Sequence, residues 1–249
     1  MRRGLLVAAL CAAATAAATS ASPARADPDD YVATPAVEYG ERELELFAGT
    51  ATKAGQDRAR ASSLAFGYGV TQWWFTEVSA RVNRFGGAST HFDAIEWENK
   101  FELTEPGEYP VDLGVLVEVE HPQDRAEGYE LRLGPLLQKD FGLVQANANL
   151  FLERHYRAAA SAATELAYQW QRKYRWREAF EFGAQGFGSV GRWDRWDPGP
   201  EQNHMLGPAI FGKLRLGGRH ALVWNAAYLI KASSAAPDRT LRAQVEYEF

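Results

Sequence analysis

Glu96, Glu98, Lys100 and Glu102 stand at every second position of one segment, and the pairs Glu118 with Glu120 and Glu130 with Arg132 repeat that spacing in the segments after it. Two is the side-chain period of an extended chain, so residues so spaced share a face. Carboxylates gathered on one face attract cations and repel anions. Interleaved Lys and Arg side chains orient a dipolar solute, or they pair with the acids and fill the space as a polar core. Asp112 belongs to the acidic set, while Arg132, Lys213, Arg215, Lys231 and Arg242 stand on the inner face of other strands and are expected to face it as a basic arc. The chemistry these types support is the binding or passage of small polar solutes, cations and neutral molecules before anions. It calls for no cofactor and no metal.

A second set of residues has the types for acid-base work. His91, His121, His155 and His204 fall at the ends of segments, with Asp93, Asp124 and Glu153 nearby and Ser89 and Ser161 as possible nucleophiles. A histidine oriented by a carboxylate can act as a general base. No Gly-x-Ser-x-Gly elbow accompanies them, and no His-x-x-x-His pair offers a metal a face of a helix. A rim-located hydrolase of lipids or peptides is therefore an alternative, and a closed structural or ligand-binding barrel is another.

The elements that would position the charged face are strands. Twelve alternating runs lie at 38–51, 61–71, 74–84, 91–103, 109–120, 129–137, 143–153, 164–173, 178–189, 204–216, 220–231 and 239–249. In the fifth, Val111, Leu113, Val115, Val117 and Val119 form one face and Asp112, Gly114, Leu116, Glu118 and Glu120 the other. Asn99 is a polar blemish on the apolar face of the fourth. Short links follow the even-numbered runs and longer, more polar links the odd ones, with aromatic residues such as Trp73, Tyr109 and Trp176 at the short-link end and Tyr129, Tyr156, Trp193 and Trp196 at the other. An even strand count, tight turns on the side of both termini and two aromatic girdles are the pattern of a transmembrane, antiparallel up-and-down β-barrel. Gly134-Pro135 and Gly207-Pro208 interrupt two runs, and a bulge is expected at each because proline removes a ladder donor. Gly183, Gly186 and Gly188 suggest a bend or close packing in the ninth.

The ends of the chain give an address. Arg2 and Arg3 precede an uncharged run from Leu5 to Ala18, and Ala24 and Ala26 are the small residues a signal peptidase reads, so residues 1–26 are expected to be a removed leader and 27–249 a single barrel domain. Removing the leader deletes three arginines and no acid, taking the formal net charge from −5 to −8, which argues against a nucleic-acid partner. The only cysteine, Cys11, lies in the leader. No later stretch is apolar enough for a helical span, so a membrane chain of this composition has to cross as a closed sheet.

The last strand alternates Leu241, Ala243, Val245, Tyr247 and Phe249 against Arg242, Gln244, Glu246 and Glu248, and ends the chain on an aromatic residue. Together with Phe66-Gly67-Tyr68-Gly69-Val70-Thr71, Glu96-Trp97-Glu98-Asn99-Lys100-Phe101, the segment from Gly134 to Gly142, and Phe211-Gly212-Lys213-Leu214-Arg215-Leu216, it resembles a porin-like group of proteobacterial outer-membrane proteins of this size. The resemblance implies a location in outer-membrane lipid and a terminal strand, with Tyr247 and Phe249, that the barrel-assembly machinery reads. It implies nothing about the solute.

Overall fold

The computed structural model describes residues 27–249, and the expected leader lies outside the described residues. Twelve strands follow one another: β1 (Arg42–Thr52), β2 (Ala59–Gly69), β3 (Trp74–Phe85), β4 (His91–Glu102), β5 (Asp112–Pro122), β6 (Tyr129–Phe141), β7 (Val144–Tyr156), β8 (Glu165–Arg177), β9 (Phe180–Arg192), β10 (Asn203–Gly217), β11 (His220–Lys231) and β12 (Arg239–Glu248). Each pairs antiparallel with its sequence neighbours, and β12 pairs with β1 to close the barrel. Among the described residues no helix is long and apolar enough to cross a membrane. A closed sheet crosses by another route, because every strand finds backbone partners on both edges.

Alternation decides which way each side chain points. On the outer face Leu46, Leu64, Val78, Ile95, Leu150, Ile230 and Leu241 are exposed along the whole circumference. A continuous apolar belt of this kind is unfavourable in water at roughly 25 cal/mol per Å² and suits a lipid surround. Two of its polar groups are bonded locally: Trp74 Nε1 donates to Asn99 Oδ1 at 3.1 Å, which accounts for the blemish in the fourth run, and Trp97 Nε1 donates to Thr76 Oγ1 at 2.9 Å. Trp170 and Tyr168 of β8 lie across Gly186 and Gly188 of β9, so the glycines of that strand mark close packing. Exposed Trp73, Tyr109, Phe141 and Trp176 ring the terminal end, and Tyr129, Tyr156, Trp193 and Trp196 the loop end.

The two Gly-Pro sites carry no bulge. In β6 the pairs Leu133 with Leu152 and Leu136 with Asn149 keep one register across Pro135, and in β10 Leu206 with Ile230 and Ala209 with Ala227 do the same across Pro208. Both prolines point outward. The glycine before each lets the partner backbone, at Leu150 and at Tyr228, close in so that the lost donor is absorbed without an extra residue. Register shifts occur instead at Arg81/Val82, Glu165/Ala167, Tyr174/Arg177 and Arg215/Gly217. The first strand begins at Arg42, four residues later than the alternation suggested.

Residues 27–39 run up the inside of the barrel. Val32 packs with Phe187, Met205, Ala209, Phe211, Ala227 and Leu229 in one buried apolar cluster, and Ala33 packs with Leu116, Leu136 and Phe151 in another. The interior of the barrel is thus built around a strap formed by the chain's own segment.

Candidate functional site

The strap is held along its length by inward side chains of many strands. At the loop end Asp27 forms an ion pair with Arg81 of β3, which also pairs with Glu96 and Glu120. Asp29 Oδ2 accepts from Ser63 Oγ of β2 at 2.6 Å, and Asp30 lies 3.7 Å from Arg132 of β6. The Tyr31 hydroxyl donates to Glu98, and its ring lies 4.8 Å from that of Phe47. Further down, Asn149 Nδ2 donates to the Ala33 carbonyl at 2.9 Å, and the Val37 amide donates to Glu102 at 2.6 Å. Gly40, at φ 77°, then turns the chain into β1 with its amide on the Gly69 carbonyl at 2.8 Å. The wall leaves room for this passage: a Cβ on Gly49 would strike the Pro28 backbone, and one on Gly114 would press on Pro35.

On either side of the strap lies a chamber. The loop-end chamber has a volume of about 540 Å³ and is lined by twelve carboxylic side chains and four lysines or arginines. The terminal-end chamber measures about 660 Å³, with ten carboxylic side chains and three lysines. Tyr31 lines both and stands between them. In the terminal-end chamber the carboxylates of Glu43, Glu45 and Glu77 approach within 4.8 Å of one another. Their mutual repulsion is offset by Lys100, which sits over the Phe75 ring at 4.7 Å, and by Gln244, whose Nε2 donates to Glu45 at 2.6 Å.

The structure places the charged candidates on the inner surface. Glu96 and Glu120 meet at Arg81, and Glu98 meets the strap at Tyr31. Glu118 and Glu153 meet at Arg132, with Nε to Glu153 at 2.7 Å and Nη1 to Glu118 at 3.6 Å. Glu130 is paired with His155 at 3.0 Å. Glu102 holds the strap, Lys100 lies among the glutamates, and Asp112 caps the Gly107 amide at 2.7 Å. The basic arc does not assemble, because each of its rim members finds an acid close by. Lys213 pairs with Glu248 at 2.6 Å, Arg215 with Glu178 at 2.6 Å and Lys231 with Asp238 at 2.5 Å. Arg132 and Arg242 stand deep in the lumen instead, Arg132 among its acids and Arg242 donating to Gln185 at 2.8 Å and lying 4.9 Å over Phe187, with Nε and Nη2 unpartnered. At the rims, the Arg215 guanidinium holds the Glu178 carboxyl below its usual range, and Lys231 does the same for Asp238.

Sequence reasoning missed the strap, Arg81 as the hub of the loop-end acids, and Glu43 and Glu45 as lumen residues. The available signal was Phe47, Phe75, Phe151, Phe187 and Phe211, apolar residues at wet positions of their strands, which face the strap or its chambers. The four histidines do not meet as one set, although His91 and His155 both line the loop-end chamber together with Asp93 and Glu153. His155 meets Glu130, His204 contacts Tyr168 at 2.9 Å and Gln202 at 2.8 Å, His121 turns to its neighbour Pro122, and His91 lies 6.2 Å from Phe85; among the described residues these rings contact such groups rather than Ser89 or Ser161. The terminal strand is paired on both edges, with Phe249 and Arg42 exchanging backbone hydrogen bonds.

A closed twelve-stranded barrel with an apolar outer belt and a charged interior defines an outer-membrane type of fold. Among solved structures the chain is similar to KdgM porin (TM-score 0.55, 5% identity, 83% of this chain and 98% of that one). It is similar also to NanC porin (TM-score 0.53, 10% identity, 83% and 98%) and to an outer-membrane channel from Pseudomonas putida F1 (TM-score 0.55, 12% identity, 90% and 99%). These likenesses are of fold. No family model and no curated protein matches the chain.

Proposed function

We propose that the protein is an outer-membrane channel that passes cations or neutral polar small solutes and performs no chemistry of its own. The observation that carries this reading is the pair of acidic chambers, one at each end of a closed barrel, in which carboxylates outnumber basic side chains about threefold. Such walls concentrate cations and exclude anions. The names of the neighbours, two porins and a channel, support the class, and none of the three is named as an enzyme.

In this reading the leader is removed after Ala26, outer-membrane lipid surrounds the belt, and the assembly machinery reads the strand that ends in Tyr247 and Phe249. The tight turns and both ends of the barrel then face the periplasm and the longer loops face outward. Nucleic acid is not a partner. The strap favours a second reading, a barrel with a permanently closed lumen. Planar-bilayer recording of refolded protein separates the two: cation-selective conductance steps are expected, and a silent barrel under every condition supports the closed form.

A further inference from the structure

We propose that residues 27–39 are a gate: the strap leaves the lumen as a unit, pivoting at Gly40, and joins the two chambers into one passage. The inference rests on the channel reading above.

The strap belongs to no strand ladder. Its described backbone contacts with the wall inside the lumen are the Ala33 carbonyl with Asn149 and the Val37 amide with Glu102, both to side chains. Among the described residues its other polar anchors are side-chain contacts: Asp27 with Arg81, Asp29 with Ser63, Asp30 with Arg132 and Tyr31 with Glu98. Its exit breaks no pairing of the sheet, whereas removal of any strand opens the barrel. The chambers on both sides bring water within reach of these polar groups, so each lost contact is replaced by hydration. The apolar grip comes from four side chains, Tyr31 against Phe47, Val32 and Ala33 in their clusters and buried Pro35, so the seated strap is the resting state and its exit is the rarer one. The pivot is suited to the motion, because Gly40 holds a positive φ and is tied to Gly69 at the terminal rim, so the attached end stays fixed while the rest swings out.

The inner wall also fits the seated strap closely. Glycines at positions 49 and 114 lie where any larger side chain would meet Pro28 or Pro35. A wall shaped to a segment that takes no part in the strand ladder is the arrangement of a seated part whose exit leaves the backbone pairing of the barrel intact.

A reversible tether tests the gate. Asp29 Oδ2 and Ser63 Oγ are 2.6 Å apart, so the double variant Asp29→Cys/Ser63→Cys places two thiols within reach, in a chain whose only other cysteine lies in the expected leader. Bilayer recording of one refolded sample before and after reductant, with thiol titration, is expected to show a closed oxidised state and at least tenfold greater open time once reduced. Equal conductance in the two states overturns the gate and leaves the channel reading standing. Gly49→Leu, which forces the Pro28 segment off the wall, is the independent arm; raised open time is expected, and conductance equal to that of the unaltered protein overturns the gate. Silence in every variant overturns gate and channel together.

Discussion

The phenolic hydroxyl of Tyr31 donates to the carboxylate of Glu98, joining two residues 67 positions apart at the point where the loop-end and terminal-end chambers meet. Tyr31→Phe keeps the ring against Phe47 and removes the donor. A buried carboxylate left short of one hydrogen bond costs about 1–3 kcal/mol, and each 1.4 kcal/mol is about a tenfold change in an equilibrium. Open-channel time is expected to rise roughly tenfold in this variant, measured in a planar bilayer; no change would show that the bond does not hold the strap.

Arg132 is the cation shared by Glu153, Glu118 and Asp30, and it lies 5.4 Å over the Phe151 ring. Arg132→Met preserves bulk and leaves the three carboxylates facing one another. Removing one side of such a set costs about 3–5 kcal/mol when fully buried, and the adjoining water brings the expectation to the lower end. Urea unfolding of the refolded barrel in micelles checks it; an unchanged midpoint would mean that these acids are hydrated and need no partner.

Glu98 and Glu118 project into the lumen from adjacent strands and are register partners. Their replacement by Gln together removes two ionisable carboxyl groups with little change of shape. The cation-to-anion permeability ratio is expected to fall severalfold at about 0.1 M salt and to differ much less at 1 M, where screening shortens to about 3 Å. Equal ratios for the variant and the unaltered protein at low salt would place selectivity elsewhere.

Asp238, at the loop rim, accepts from the Ala54 amide at 2.6 Å and pairs with Lys231, which holds its carboxyl below the usual range. A depressed carboxyl contributes stability above its unfolded value of 3.8 and loses it as the pH falls through the lower folded value. The link between the 53–58 and 232–238 loops is therefore intact at neutral pH and released in strong acid. Amide hydrogen exchange at Ala54 reads this: protection should drop at low pH in the unaltered protein and be low at all pH values in Asp238→Asn. Protection that ignores both changes would assign the loop's order to other contacts.

The strands were legible because lipid outside and water inside impose alternation, and Val115, Val117 and Val119 against Leu116, Glu118 and Glu120 display it with one exception. That exception was informative: Leu116 is buried against the strap cluster with Leu136 and Phe151. The strap itself was illegible because the segment from Asp27 to Tyr39 has no period, its conformation being set by contacts with distant strands rather than by local pattern. The sequence order of Lys213, Arg215 and Lys231 suggested an arc, yet partners Glu248, Glu178 and Asp238 become neighbours only when the barrel closes and its turns fold. The prolines misled for a related reason, since an outward Pro135 or Pro208 next to glycine loses a donor without needing an extra residue to absorb it.

The reversal potential of the refolded full chain, recorded across a planar bilayer in a KCl gradient, tests the central claim most directly. The account predicts discrete openings, more frequent once the Asp29→Cys/Ser63→Cys tether is reduced, with a reversal potential displaced toward that of potassium. Anion preference, or the absence of any opening with the strap released, would contradict it.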